Sequence, residues 1–172
     1  ARTWPALIAR KHGLNLTSLG FGGQCHIDSM IARVIRDVPA DFISLKLGIN
    51  VMGAASLSPR SFRPAIIGMV KIIREAHPNI PIALISPLAS PPHETTPNPV
   101  GFSLPMMRKE MEDACCRLLD ARDENLHYFN GLDLFTEDDC RRYSDDLVHP
   151  NGDGYELVAE NFSKVVMSRI PL

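Results

Sequence analysis

The run Asp146-Leu-Val-His149-Pro150 holds the residues best spaced for chemistry. An acid three residues ahead of a histidine, on a loop, reaches one imidazole nitrogen and leaves the other free for a reacting group. That is the acid–base half of a nucleophilic triad, in which the carboxylate fixes the tautomer and stabilises the imidazolium. The same spacing also suits an i, i+3 pair opening a helix, with Asp146 as its cap. Pro150 weighs against helical backbone at His149, because the residue before a proline is pushed out of the α region. His149 is therefore expected at a loop end, just ahead of a helix beginning near Asn151.

Such a pair needs a nucleophile and donors for a developing oxyanion. Gly20-Phe-Gly-Gly23 follows Leu14–Leu19, which reads as a short strand, and Gly48-Ile-Asn50 follows Phe42–Leu47. A glycine N–H aimed into a cleft can donate to an oxyanion, and the Asn50 amide could do the same, lowering a barrier by roughly 3 kcal/mol. Either feature also reads as a plain turn, the glycines supplying positive φ and asparagine being a turn former. A dinucleotide site fits poorly. Cys25 stands where the last glycine of G-x-G-x-x-G belongs, and Leu47-Gly48 holds the place of the acid that should end the next strand.

The elements that must position these groups alternate. Helical spacing runs from Arg2 to His12, with Pro5 in the first turn and Gly13 as the stop. A short strand is expected at Leu14–Leu19, then a helix capped by Asp28 with Ile31, Val34, Ile35 and Val38 on one face. Phe42–Leu47 is the second strand, and Ser58-Pro59 opens the next helix. Ile80–Ile85 is the third strand, followed by a long proline-rich loop from Ser86 to Pro99. A helix from Pro105 to Arg122, a fourth strand at Leu126–Phe129 and a closing helix from Gly152 to Ser168 complete the pattern. Asp133 and Glu137 to Asp139 read as a solvated acidic loop. Strands alternating with helices argue one α/β domain with a parallel sheet, whose ligands bind at the carboxyl ends of the strands. All three chemical features fall on that rim.

Composition agrees with a globular domain. The 172 residues are 45% hydrophobic and 22% charged, with a net charge of −2. There is no basic stripe to neutralise nucleic acid and no apolar run long enough for a membrane span. Cys25, Cys115, Cys116 and Cys140 lack C-x-x-C spacing, so structural zinc is not expected, and no cofactor is called for. Reduced thiols fit a cytoplasmic setting slightly better than a secreted one, but the sequence leaves the compartment and the oligomeric state open.

Gly23 in Ser-Leu-Gly-Phe-Gly-Gly, Asn50 in Gly-Ile-Asn, and Asp146-Leu-Val-His149-Pro150 resemble, in order and spacing, three blocks of the SGNH (GDSL-type) hydrolases. The resemblance covers almost the whole chain. It implies a flavodoxin-like three-layer α/β/α sandwich with strand order 2-1-3-4-5. It also implies hydrolysis or acyl transfer of a small-molecule ester through a serine ester intermediate. His149 would be the general base, Asp146 its orienting acid, and Gly23 and Asn50 the oxyanion donors. Two departures stand out. Val51 replaces the acid that usually follows the asparagine, and the block carrying the nucleophilic serine, with the first strand, is absent. The resemblance therefore implies an N-terminally truncated single domain whose serine lies upstream of residue 1. Removing that strand would leave its neighbours roughly 10 Å apart, twice the interstrand spacing.

Ser18, Ser29, Ser86 and Cys25 lie near strand ends as substitute nucleophiles, each with a structural role as the simpler reading. His26 with Asp28 lies close enough to the rim to touch substrate. Asp145, Asp146 and His149 could ligate a metal, though carboxylates of one short loop rarely complete a shell. The rival to catalysis is a hydrolase-like domain that binds an acylated or glycan ligand without turning it over.

Overall fold

A computed structural model describes residues 2–170. Three strands, β1 (Ile43–Lys46), β2 (Ile82–Ile85) and β3 (Leu126–Phe129), form one parallel sheet in the order β1-β2-β3. These correspond to the last three places of the expected 2-1-3-4-5 order. The central strand is buried on both faces, as all-parallel sheets require.

Alternate residues face opposite layers. Ile43, Leu45, Ile82, Leu84 and Leu126 enter a core shared with α2 (Ser29–Asp37), α4 (Pro59–Arg74) and α6 (Leu104–Asp120). Ala83, Ile85 and Phe129 face α1 (Trp4–His12) and α8 (Gly152–Val165), where Ile8, Ala159 and Phe162 close the second layer. The result is the three-layer α/β/α sandwich.

Most helix signals translate directly. Gly13 ends α1 with φ 66°, a left-handed stop that suits glycine. Ser58 and Pro59 open α4, and Pro64 lies inside it without ending it. Asn151 caps α8, its side-chain oxygen accepting from the N–H groups of Asp153 and Gly154. Asp28 does precede α2 in extended backbone, but its carboxylate makes no capping bond.

Several expectations need correction. Leu14–Leu19 is not a strand. It carries no regular secondary structure and is largely exposed, and among the described residues β1 pairs only with β2, so no ladder exists for this segment to join. The loop from Ser86 to Pro99 contains a short helix, α5 (Pro91–Thr95), begun by its two prolines. Asn50 does not sit in an open turn but in the first turn of α3 (Ile49–Ala54). The acidic stretch is α7 (Glu137–Tyr143), started by a reciprocal box in which Thr136 and Asp139 bond each other's N–H. Finally, the regular α-helical part of α8 ends at Val165, three residues before the expected Ser168.

The strand exits are locked together. Gly48, at φ 114°, follows β1, and a Cβ there would stand 2.6 Å from Cγ of Pro87, which follows β2. Gly131, which follows β3, leaves no room for a Cβ beside the carbonyl oxygens of Ser86 and Pro87. Pro87 is thus wedged between two glycines from neighbouring strand ends.

Candidate active site

The loop between α7 and α8 turns tightly on a single carboxylate. Oδ1 of Asp146 accepts from the N–H of His149 at 2.7 Å, the N–H of Val148 at 2.9 Å and Ser144 Oγ at 3.1 Å. Oδ2 meets His149 Nδ1 at 2.6 Å. The helix-opening alternative for this spacing does not hold, because α8 begins only at Gly152 with Asn151 as its cap; Asp146 gathers the N–H groups of a non-helical turn and orients the imidazole. Leu147 between them is left-handed, at φ 58°. Asn151 N–H donates to Tyr143 O at 2.7 Å and closes the loop.

Nδ1 is held by a carboxylate, so it carries the proton, and Nε2 makes no hydrogen bond among the described residues. The imidazole is 74% exposed, leaving Nε2 open to a reacting group. The His149 imidazole first, then the N–H groups of His149 and Val148, hold the Asp146 carboxyl well below the usual carboxylate range. It stays ionised wherever a histidine base would operate.

Asn50 is oriented by the glycine turn. Cys25 N–H donates to Asn50 Oδ1 at 3.1 Å. A backbone N–H can only donate, so the oxygen must face Cys25 and the Asn50 amide group, Nδ2, is turned elsewhere. Nδ2 makes no hydrogen bond among the described residues. Gly23, two residues before Cys25, has φ 72°, and its N–H is also unpartnered among them. Two donors without a partner among the described residues therefore lie on segments joined by the Cys25–Asn50 bond.

These parts share the rim through a connected framework. Asn98 Nδ2 donates to Met52 O at 3.1 Å, tying α3 to the segment after α5. Ser90 Oγ, just before α5, donates to Leu147 O at 2.7 Å. The asparagine, the β2 exit and the acid–imidazole loop all lie at the carboxyl end of the sheet. Sequence reading missed Ser90 and Asn98; their partners lie 57 and 46 residues away, and no local pattern signals such pairings.

The other candidates fall into plainer roles. Ser86 is fully buried, and its Oγ accepts from Gly131 N–H at 3.0 Å and from the Tyr128 hydroxyl at 3.2 Å. Burial pushes the Cys25 thiol up, against the pull of Lys46, the wrong direction for a nucleophile. Ser18 lies in the exposed segment before the glycine turn, and Ser29 opens α2. His26 Nδ1 meets Ser56 Oγ at 2.9 Å, an exposed contact. Asp145, Asp146 and His149 do not form a ligand cluster; among the described residues no three such side chains do. No described helix is long and apolar enough to cross a membrane.

Residues 2–167 match the family model of the GDSL-like lipase/acylhydrolase family. A salicylyl-acyltransferase, SsfX3, from a tetracycline biosynthetic pathway is 33% identical with a TM-score of 0.88, over 98% of this chain and 49% of that one. A Bacteroides ovatus protein described as a GDSL-like lipase is 20% identical with a TM-score of 0.81, over 97% and 47%. An acetyl xylan esterase, AlAXEase, is 17% identical with a TM-score of 0.68, over 96% and 91%. The latter two establish likeness of fold alone. The chain spans about half the length of the first two structures. No curated protein matches it.

Proposed function

The chain belongs to the GDSL-like lipase/acylhydrolase family, and from that premise we propose that it processes a small-molecule ester through a serine ester intermediate, as an esterase or an acyltransferase. The serine oxygen attacks the ester carbonyl carbon while His149 Nε2 takes its proton. The tetrahedral oxyanion is held by Asn50 Nδ2 and the Gly23 N–H. Collapse expels the alcohol, which receives the proton from His149, and water or an acceptor alcohol then releases the acyl group by the same steps reversed. Asp146 keeps Nδ1 protonated and balances the imidazolium. The observation that carries this reading is the 2.6 Å Asp146–His149 contact with Nε2 left free.

The nucleophile comes from a segment outside these residues, laid along the open edge of β1. Support comes from β1 being an edge strand, and from exposed Leu14, Leu16, Phe21, Met30 and Val34 in the stretch that precedes it. The ammonium of half-buried Lys46 on β1 also has no ion pair or hydrogen bond among the described residues. Both outcomes, hydrolysis and transfer, share one acyl-enzyme and differ only in acceptor. The relative named as an acyltransferase favours keeping transfer beside hydrolysis.

The test is p-nitrophenyl acetate turnover and fluorophosphonate labelling of a protein that includes the upstream segment. His149→Ala should cut turnover by orders of magnitude and suppress labelling; unchanged turnover would refute the mechanism. Val51, buried where the family usually carries an acid, favours the rival reading of a binding domain without chemistry. A wild-type protein that is neither labelled nor active would decide for that rival.

A further inference from the structure

We infer that Ser90 is a positioning residue for the acid–imidazole loop: its hydroxyl, by holding the carbonyl of Leu147, fixes the turn on which Asp146 and His149 meet. The inference rests on the reading above that this pair does the acid–base chemistry.

Ser90 is 1% exposed, and its Oγ lies 2.7 Å from Leu147 O. A carbonyl only accepts, so the single hydroxyl proton is committed to Leu147. His93 Nδ1 lies 2.8 Å from the same Oγ and must therefore donate to it. Ser90 and His93 look like a nucleophile and its base, but a ring nitrogen that donates cannot remove the hydroxyl proton. The pair is a strut.

What it supports is a turn that carries one strained residue. Leu147 has φ 58°, a conformation disfavoured for a residue with a Cβ unless its surroundings fix it. Ser90 is anchored on the other side. Its N–H donates to Glu94 Oε1 at 3.2 Å, and Glu94 pairs with Arg108 through two contacts of 2.7 Å. Arg108 in turn donates to Pro87 O at 3.0 Å and Leu88 O at 3.2 Å. The Arg108 and Glu94 side chains are only 7% and 10% exposed. The loop carrying His149 is thus referenced to the β2 exit, the same strand end that Gly48 touches.

Removing the hydroxyl frees the Leu147 carbonyl and lets the turn leave its left-handed state. The Asp146–His149 contact then becomes intermittent, which lowers turnover without touching substrate affinity. Two readouts test this: the His149 Nδ1–H proton resonance in the 15N-labelled chain, and kcat with KM in the protein bearing its upstream segment. Ser90→Ala should lose the resonance to solvent exchange and lower kcat about tenfold or more with KM kept. Ser90→Thr, which keeps the hydroxyl, should restore both. A sharp Nδ1–H resonance in Ser90→Ala overturns the inference, and so does a Thr variant as perturbed as the Ala variant, since packing would then be the cause. Should Ser90→Ala not fold, Ser90→Gly, which also removes the hydroxyl, is read by the same criteria. The resonance requires no turnover, so an inactive wild type would defeat the esterase reading and leave the positioning role of Ser90 open to the same measurement.

Discussion

Replacing Asp146 with asparagine should invert the histidine rather than loosen it. The carboxylate has two unlike oxygens. Oδ1 takes three donors, from Ser144, Val148 and His149, and Oδ2 takes one, from the imidazole. An asparagine would keep its carbonyl oxygen at the Oδ1 place, because an amide nitrogen there would face three donors. Its NH2 group would then sit where Oδ2 was, donating toward Nδ1 across the 2.6 Å contact. A donor opposite Nδ1 demands a lone pair, so the proton moves to Nε2. The loop stays folded while the only free nitrogen loses its ability to accept. In a serine triad the wrong tautomer costs about 10⁴-fold in kcat, and a fall of about 10³- to 10⁴-fold is expected here. The assay is 15N NMR of the imidazole, which distinguishes protonated from unprotonated ring nitrogens, joined to ester turnover. An Asp146→Asn protein whose Nδ1 remains protonated, or whose turnover falls less than about tenfold, would refute the reasoning.

Asn50→Ala removes one oxyanion donor and should lower kcat about 10²-fold or more with KM nearly unchanged; a rise in KM at constant kcat would remove Asn50 from that role. Gly48→Ala meets both a disfavoured φ of 114° and the Pro87 ring at 2.6 Å. It should destabilise the chain by about 2–5 kcal/mol in urea titration, summing backbone strain and overpacking, and a loss under about 1 kcal/mol would contradict the contact. The depressed Asp146 carboxyl fixes the sign of the acid response. The native state binds that proton less readily than the unfolded chain, whose value is near ~3.9, so the loop's contribution holds above that range and is lost as pH falls through the lower native value. Amide shifts of Val148 and His149 should titrate below the ordinary Asp range; a midpoint at or above it would exclude the depression.

What the sequence made legible was mostly local. Pro150 excluded helical backbone at His149, and the Asn151 cap follows within two residues, so both the pair and the helix start were readable. Ser58-Pro59 and the glycine after His12 gave boundaries for the same reason: each acts on the backbone beside it. The leucines of Leu14–Leu19 misled because apolar side chains report a segment suited to burial, whereas a strand also needs a neighbour to bond. Helix α7 was missed although Thr136 and Asp139 stand at capping-box spacing; the run of acids outweighed that signal. Ser90 had no such signal, since its meaning lies in a carbonyl distant in the chain.

The wedge of Pro87 between Gly48 and Gly131 bears on how such a molecule could be altered. With one residue gripping the ends of both outer strands, its ring against Gly48 and its carbonyl against Gly131, the rim behaves as a single keystoned arch. Segments hung outside that arch, with no bond into it, could change length or composition without disturbing its stones. A substitution at any of the three gripped positions would shift the asparagine and the histidine loop together. Remodelling toward a new ester should therefore proceed outward from the keystone and leave the arch untouched.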